Sequence, residues 1–133
     1  MTVDSSALVA ILRQEPEGAA FSEVIAKAER CRISAVNWVE TAIVMGGDRD
    51  PLTSRDVDEM MADAGIEIMP VTVEQAQLAR AAFRDFGKGS GHPARLNFGD
   101  CFAYALAQWQ REPLLYKGED FGHTDVRPAL PRP

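Results

Sequence analysis

The amino-acid sequence predicts an α/β protein in which a central, mostly parallel sheet is covered by helices on both faces. Short apolar segments of strand length alternate along the chain with longer segments whose apolar residues recur at helical spacing. Alternation of this kind is typical of open parallel sheets. The length of 133 residues suits one domain, so we expect residues 1–133 to form a single domain with four or five strands.

The first third of the chain contains signals for two strands and three helices. The apolar start MTV predicts a strand, and Asp4 and Ser5 after it are capping candidates for the first helix. Pro16 lies near the start of the next helical segment, where proline is tolerated. The pair Gly46–Gly47 ends the third helix. In order, the segments are strand 1–3, helices 4–14 and 16–29, strand 31–35 and helix 36–45.

The middle of the chain predicts a turn and then a helix within residues 48–65, a strand at 66–71 and a second helix. Gly65 closes the first of these helices, and Thr72 caps the second. Apolar residues at helical spacing mark a stripe in the first helix and are expected to face inward in the second. They are Val57, Met60, Met61 and Ala64 in the first helix, and Val73, Ala76, Ala79, Phe83 and Phe86 in the second.

The last third predicts a loop at 88–96, a helix at 97–110, a strand at 113–116 and an irregular tail. A fifth strand is expected near Val126. The helix has an apolar stripe that reads as one face, with Asp100 in its first turn. The stripe consists of Phe98, Phe102, Ala105 and Trp109.

Composition limits the classes of function. The 20 acidic and 14 basic residues give a formal charge of −6, so contact with nucleic acid would require a local basic patch. No apolar stretch approaches the roughly 20 residues that a membrane helix needs, and the start MTVDSS lacks the pattern of a signal peptide. We therefore expect a cytoplasmic protein without membrane association, whose Cys31 and Cys101 are reduced and buried.

Several carboxylates occupy positions that a parallel sheet brings to one edge. Asp4 follows the first strand, Glu40 lies in the helix after the second, and Asp100 begins the helix before the fourth. Glu119 and Asp120 follow the fourth strand. Ligands bind such sheets at the carboxyl ends of the strands. Carboxylates that share a cleft repel one another and raise their pKa values, unless a cation offsets the repulsion.

The types of side chain indicate which cation would bind. Oxygen ligands favour Mg²⁺ or Mn²⁺ over zinc, and His92 and His123 form no zinc motif with the cysteines. Each carboxylate also has an ordinary structural explanation. Asp4 suits a helix cap, and Asp100 suits the positive end of a helix dipole. The spacing alone therefore leaves a metal site and separate structural roles both open.

Four segments carry a family resemblance. They are VDSSALVAIL at the start, ISAVNWVETAIV around Glu40, NFGDCFAYALA around Asp100, and LLYKGEDFGHTDV near the end. With these segments in order over nearly the whole chain, the protein resembles PIN-domain ribonucleases of the VapC toxin type, the toxin half of a type II toxin–antitoxin pair. The resemblance implies a three-layer α/β/α PIN-like fold and an acidic site that binds Mg²⁺ or Mn²⁺ and hydrolyses RNA.

The resemblance also assigns roles to individual residues. Asp4, Glu40 and Asp100 match three acidic positions of the family. We expect Asp4 and Asp100 to hold the main metal, and Glu40 to bind it through water or to orient the attacking water. Ser6 and Asn37 match recurring polar positions, where they would orient the carboxylates by hydrogen bonds or act as local caps.

The fourth acidic position departs from the family pattern. Many PIN domains place Thr-x-Asp directly after the fourth strand, whereas this chain has Tyr116–Gly118 there. We expect Asp120 to be the replacement and to complete the catalytic set. Glu119 is its rival, and Asp125 is a more distant alternative.

Partners follow from charge and from the resemblance. Basic residues in two irregular segments flank the predicted site and would contact RNA phosphates, although loop solubility explains them equally well. Family members usually dimerise and are inhibited by a cognate VapB-type antitoxin, so we expect both here. The alternative is a catalytically weak or inactive PIN-like module that binds RNA or a protein. The expected RNA contacts are Lys88, Arg95 and Lys117, with His92, His123 and Arg127 nearby.

Overall fold

The strands and helices follow the predicted order with shifts of a few residues at their ends. The computed structural model of the protein describes residues 1–46 and 51–131, so Gly47 and residues 48–50, where the segment with the predicted turn begins, lie outside the described residues. The strands are β1 (Thr2–Val3), β2 (Cys31–Ser34), β3 (Ile66–Met69) and β4 (Leu114–Leu115). The helices are α1 (Ser5–Leu12), α2 (Gly18–Lys27), α3 (Ala35–Val44), α4 (Pro51–Ala64), α5 (Val73–Phe86) and α6 (Phe98–Gln110).

The strands form a four-stranded sheet in the order β3-β2-β1-β4, and every pair of neighbours is parallel. Its carboxyl ends therefore meet at one edge. The tail runs beside β4, where Leu114 forms an isolated bridge with Pro128 and accepts the Ala129 N–H at 2.8 Å. Proline has no N–H to continue a ladder. Within the described residues the tail therefore adds this bridge and no fifth strand.

Each face of the sheet carries its own hydrophobic core, which confirms the three-layer α/β/α arrangement. Val3 and Leu115 belong to a core covered by α1, α2 and α4, whereas Leu114 belongs to a core covered by α5 and α6. Neighbouring residues of a strand point to opposite faces, so Leu114 and Leu115 serve different cores. Cys31 and Cys101 are buried and unpaired in opposite cores, which confirms the predicted burial.

The predicted inward face of α5 is wrong at two positions, and the predicted stripe of α6 is also wrong at two positions, although Ala105 in that stripe is buried. Val73 is 70% exposed and Phe83 is 49% exposed, and in α6 Phe98 is 71% exposed. Trp109 is also exposed. The two helices share a core built largely from alanines, such as Ala79 and Ala82 in α5 and Ala103, Ala105 and Ala107 in α6. Small residues let the backbones of α5 and α6 approach closely. The large side chains, such as Phe83 and Phe98, therefore lie outside the contact between the two helices.

Within residues 1–46 and 51–131, no helix combines the length and apolar character that a membrane span needs.

Candidate active site

Four carboxylates reach the carboxyl edge of the sheet from four different segments. Asp4 is the N-cap of α1 directly after β1, Glu40 lies in α3, and Asp100 lies in the first turn of α6. Asp120 begins a short 3₁₀ helix, Asp120–His123, after β4. The charges of Asp4, Glu40 and Asp120 all raise the pKa of Asp100. The structure thus brings the four predicted residues within electrostatic reach of one another.

The carboxylate of Asp4 is buried, and only one of its two oxygens accepts a hydrogen bond within the described residues. Its side chain is 2% exposed, and its Oδ2 atom accepts the backbone N–H of Ser6 at 3.0 Å, as predicted for a helix cap. Its Oδ1 atom is buried and has no hydrogen-bond partner within the described part of the chain. Burial raises the pKa of Asp4 to about 6 against the opposing hydrogen bonds of Ser6, and the charge of Glu40 adds to the rise.

Asp100 forms a reciprocal cap with Asn97 at the start of α6. The Asn97 side chain accepts the Asp100 N–H at 2.9 Å, and Oδ2 of Asp100 accepts the Asn97 N–H at 3.0 Å. This capping box fixes the carboxylate while it occupies only one of its oxygens in these bonds. Burial, followed by the neighbouring carboxylates, raises the pKa of Asp100 to about 7. The structural role of Asp100 and a place in the acidic cluster are therefore compatible.

Glu40 is held between α1, α3 and α6. The hydroxyl of Ser5 donates to Oε1 of Glu40, and Asn37 Nδ2 donates to the same oxygen at 3.3 Å. Asn37 is fully buried, and its Nδ2 also donates to the Gly99 carbonyl at 2.9 Å. A Cβ atom added at Gly99 would lie 2.6 Å from Cδ of Glu40. The carboxylate therefore fits only because residue 99 has no side chain.

Ser5 and Gly99 are site residues that sequence reasoning missed. The sequence predicts only a capping role for Ser5, whereas its hydroxyl donates to Glu40. Ser6, which was expected to orient a carboxylate, gives its backbone N–H to Asp4 while its hydroxyl accepts the Lys117 N–H at 3.0 Å. The small residues beside the acids, in DSS and FGD, were the available signal. Which carboxylate each one meets depends on the tertiary fold.

Among the candidates for the fourth acidic position, the structure brings Asp120 toward the cluster. Asp120 is exposed, yet its charge contributes to the raised pKa of Asp100. Asp125 instead accepts a hydrogen bond from the Tyr104 hydroxyl at 2.7 Å. Glu119 precedes the 3₁₀ helix and is exposed. These positions favour Asp120 over Asp125.

The side chains are oriented toward protein donors. Within residues 1–46 and 51–131, no three Asp, Glu, His or Cys side chains already form a group that could hold a metal ion. One oxygen of Asp100 is turned back into the capping box, and Oε1 of Glu40 faces Ser5 and Asn37. A cation could therefore be bound only by the remaining carboxylate oxygens of the cluster. One of these, Oδ1 of Asp4, is buried and has no hydrogen-bond partner within the described residues.

The predicted RNA-binding residues have different surroundings. Lys88 and Arg95 are exposed in the loop between α5 and α6, whose ends are joined by the bonds Lys88 N–H to Leu96 O (2.8 Å) and Leu96 N–H to Phe86 O (2.9 Å). By contrast, the Lys117 ammonium forms ion pairs with Glu15 and Glu17.

The raised pKa values of Asp4 and Asp100 predict that the metal-free fold loses stability as pH rises. Folded-state values of about 6 and about 7 lie above the ordinary 3.8, so the folded state binds protons more tightly than the unfolded chain. The free energy of unfolding therefore decreases as the pH rises from about 4 to 7, and the decrease is complete above the folded-state pKa values. In chelator at pH 8, Asp100→Asn should melt roughly 4 °C or more above the parent, with little difference at pH 4.

Thermal melts between pH 4 and pH 8 test this prediction, with Asp63→Asn as the matched control because Asp63 is an exposed carboxylate on α4. Equal pH dependence of the parent and Asp100→Asn would contradict it.

Comparisons with known proteins find similarity over nearly the whole chain. The PIN-domain family model matches residues 1–127. Ribonuclease VapC28 of Mycobacterium tuberculosis is 55% identical over 132 residues, which cover 99% of each chain. Ribonuclease VapC42 of the same organism is 48% identical over 129 residues, which cover 97% of this chain and 98% of the relative.

Solved structures share the fold at lower identity. VapC20 of Mycobacterium tuberculosis, a toxin that cleaves the sarcin–ricin loop, superposes with a TM-score of 0.70 at 15% identity over 96% of this chain and 98% of that chain. A toxin–antitoxin complex from Klebsiella pneumoniae gives a TM-score of 0.66 at 19% identity over 90% and 88% of the two chains. At these identities the likeness establishes the fold alone.

Proposed function

The chain belongs to the PIN-domain family and, within it, to the VapC ribonucleases, and we propose that it is an endoribonuclease toxin that hydrolyses RNA phosphodiester bonds. The observation that carries the proposal is the group of carboxylates at one edge of the sheet, with a buried and unpartnered oxygen on Asp4. We propose that residues 1–133 act as one PIN domain.

The carboxylate group fits a hard divalent cation. Its donors are oxygens, the charges of neighbouring carboxylates add to the raised pKa values of Asp4 and Asp100, and Asp4 Oδ1 has no partner within the described residues. Mg²⁺ and Mn²⁺ suit such donors. We propose that Asp4 and Asp100 hold the main cation and that Asp120 completes the set. When bound, a cation of this kind polarises a phosphoryl oxygen and lowers the pKa of a water molecule.

We infer the remaining catalytic roles from the hydrogen bonds of Glu40 and Asp100. Ser5 and Asn37 both donate to Oε1 of Glu40, so Oε2 is the oxygen that we assign to orienting the attacking water. The Asn97 N–H occupies Oδ2 of Asp100, which leaves Oδ1 for the cation. These hydrogen bonds fix both carboxylates before substrate binds, and such preorganisation is an established source of rate enhancement.

Cleavage of a structured RNA pool by the purified protein tests the proposed function. We expect cleavage with Mg²⁺ or Mn²⁺ and none in excess chelator. Metal-independent RNA binding without turnover would contradict the proposal and would favour the alternative, an inactive PIN-like binding module.

Reversing the charges of Lys88 and Arg95 should weaken RNA binding and flatten its salt dependence. Both side chains are exposed in the loop that leads into α6 and Asp100, and the chain as a whole carries a charge of −6. Each phosphate contact that is lost lowers the slope of log K against log salt by roughly 0.7 for single strands. RNA-binding titrations of the Asp100→Asn variant measure this slope without cleavage. We would make them between roughly 50 and 200 mM salt, where the salt dependence of binding is large. An unchanged slope would remove both residues from the RNA site.

We propose that a cognate VapB-type antitoxin inhibits the protein by covering the acidic cleft.

We also propose that the protein forms a homodimer. Support for the dimer is an apolar cleft of about 470 Å³ lined by Phe83, Phe98 and Phe102, because exposed apolar patches mark interaction surfaces. Light scattering should give a dimer for the parent and a smaller species for Phe83→Glu. The control Ala20→Glu places the same charge on the exposed face of α2, and a monomeric parent would contradict the proposal.

A further inference from the structure

The loop that carries Asp120 is held through Lys117 to α1 and to the segment that follows it. The ammonium of Lys117 pairs with the carboxylate of Glu15 and lies 3.2 Å from Oε2 of Glu17, an ion-pair distance without hydrogen-bond alignment. Both glutamates belong to the turn between α1 and α2. The backbone N–H of Lys117 donates to the Ser6 hydroxyl at 3.0 Å. A single residue therefore joins the loop to α1 and to the turn after it.

These contacts continue directly to the acidic cluster. Ser6, which accepts the Lys117 N–H, donates its own backbone N–H to Asp4. On the other side of Lys117 the chain turns at Gly118, whose φ of +97° suits glycine, and reaches Asp120. Beyond it Phe121 is buried and its ring lies 5.2 Å from that of Tyr116. Asp120 is thus exposed, but the chain is held in place on both sides of it, by the contacts of Lys117 and by the buried ring of Phe121.

The surroundings of Lys117 suit a structural tether better than a phosphate contact. A lysine that binds phosphate needs its ammonium free, and two neighbouring carboxylates would repel the incoming phosphate. The side chain of Lys117 is 37% exposed, and those of Glu15 and Glu17 are 26% and 44% exposed. Exposed ion pairs contribute little to overall stability, so the main consequence of this arrangement is the position of the loop.

We infer that Lys117 is a positioning residue, which holds the loop of Asp120 against the α1–α2 turn through Glu15 and Glu17. The inference rests on the proposed function, because it gives Asp120 its role in the acidic cluster. It predicts that the lysine and the two glutamates act as one unit, whereas a phosphate contact would depend on the lysine alone.

The test compares Lys117→Met, the double variant Glu15→Gln/Glu17→Gln, and the triple variant. Lys117→Met and the double variant should each lower kcat by roughly tenfold with little change in KM, and the triple variant should be no worse than either. Lys117→Arg should retain most of the activity. Lys27→Met is the matched control, because Lys27 forms an exposed ion pair with Glu23 elsewhere on α2. In an Asp100→Asn background, the salt dependence of RNA binding should be the same with and without Lys117→Met.

A different pattern would overturn the inference. Full activity in the glutamate double variant, together with a flatter salt dependence in Lys117→Met, would make Lys117 a phosphate contact. Amide hydrogen exchange separates this failure from failure of the proposed function, since it needs no RNA. Exchange across residues 116–123 should be faster in both Lys117→Met and the double variant, and unchanged exchange would refute the tether whether or not the parent cleaves RNA.

Discussion

Replacing Asp100 by Asn is expected to lower the RNA cleavage rate by at least about 100-fold, because the loss of a carboxylate that we propose as a metal ligand removes several kcal/mol of transition-state stabilisation. The substitution preserves volume, and an amide oxygen can still accept the Asn97 N–H that Oδ2 accepts at 3.0 Å. The helix cap should therefore survive while the charge is lost. Initial rates with Mn²⁺, for parent and variant purified in parallel, measure the effect.

Asp125→Asn is the matched control for this experiment. Asp125 is an exposed carboxylate whose Oδ1 accepts the Tyr104 hydroxyl at 2.7 Å, a bond that an amide oxygen can also accept. We expect parent-like cleavage from this variant. Cleavage by Asp100→Asn within a few-fold of the parent would contradict the assignment of Asp100, and loss of cleavage in Asp125→Asn would reopen the choice of the fourth carboxylate.

Gly99→Ala is expected to reduce cleavage by roughly 100-fold while the fold persists. The new methyl group would lie 2.6 Å from Cδ of Glu40, far inside van der Waals contact. The obstacle is the end of a flexible side chain, so Glu40 should move rather than the helix. A displacement of about 1 Å in a catalytic group is enough for a loss of this size. Cleavage kinetics and a thermal melt together separate the lost activity from lost stability.

A double-mutant cycle shows whether Glu40 mediates this effect. Glu40→Ala removes the side chain that the new methyl group would strike, so Gly99→Ala should cost nothing further in that background. If the two losses multiply instead, Gly99 acts on activity by another route, and our account of the Glu40 pocket is wrong.

The parts of the site that could be predicted are those set by local sequence. Asp4 follows an apolar start as a helix cap, and Asp100 lies in the first turn of a helix behind Asn97. Both positions depend on neighbours a few residues away. Parallel topology, predicted from the alternation of strands and helices, then places them at one edge.

The parts that could not be predicted depend on contacts between distant segments. Ser5 meets Glu40, and Asn37 meets the Gly99 carbonyl, through helix packing that no local pattern encodes. The same reason explains the misassigned faces of the helices. Periodicity identified α5 and α6 as helices, but the partner surface decides which residues are buried, and here Ala82, which lies outside the predicted face, is buried while Phe83 stays exposed.

Binding of Mn²⁺ to the metal-free protein, followed by electron paramagnetic resonance at pH 8, tests the central claim most directly. Our account predicts that the parent and Asp63→Asn bind the ion alike, and that Asp4→Asn, which loses the buried carboxylate with the unpartnered oxygen, binds it at least roughly tenfold more weakly. Equal binding by the parent and Asp4→Asn would contradict the claim that these carboxylates form a divalent-cation site.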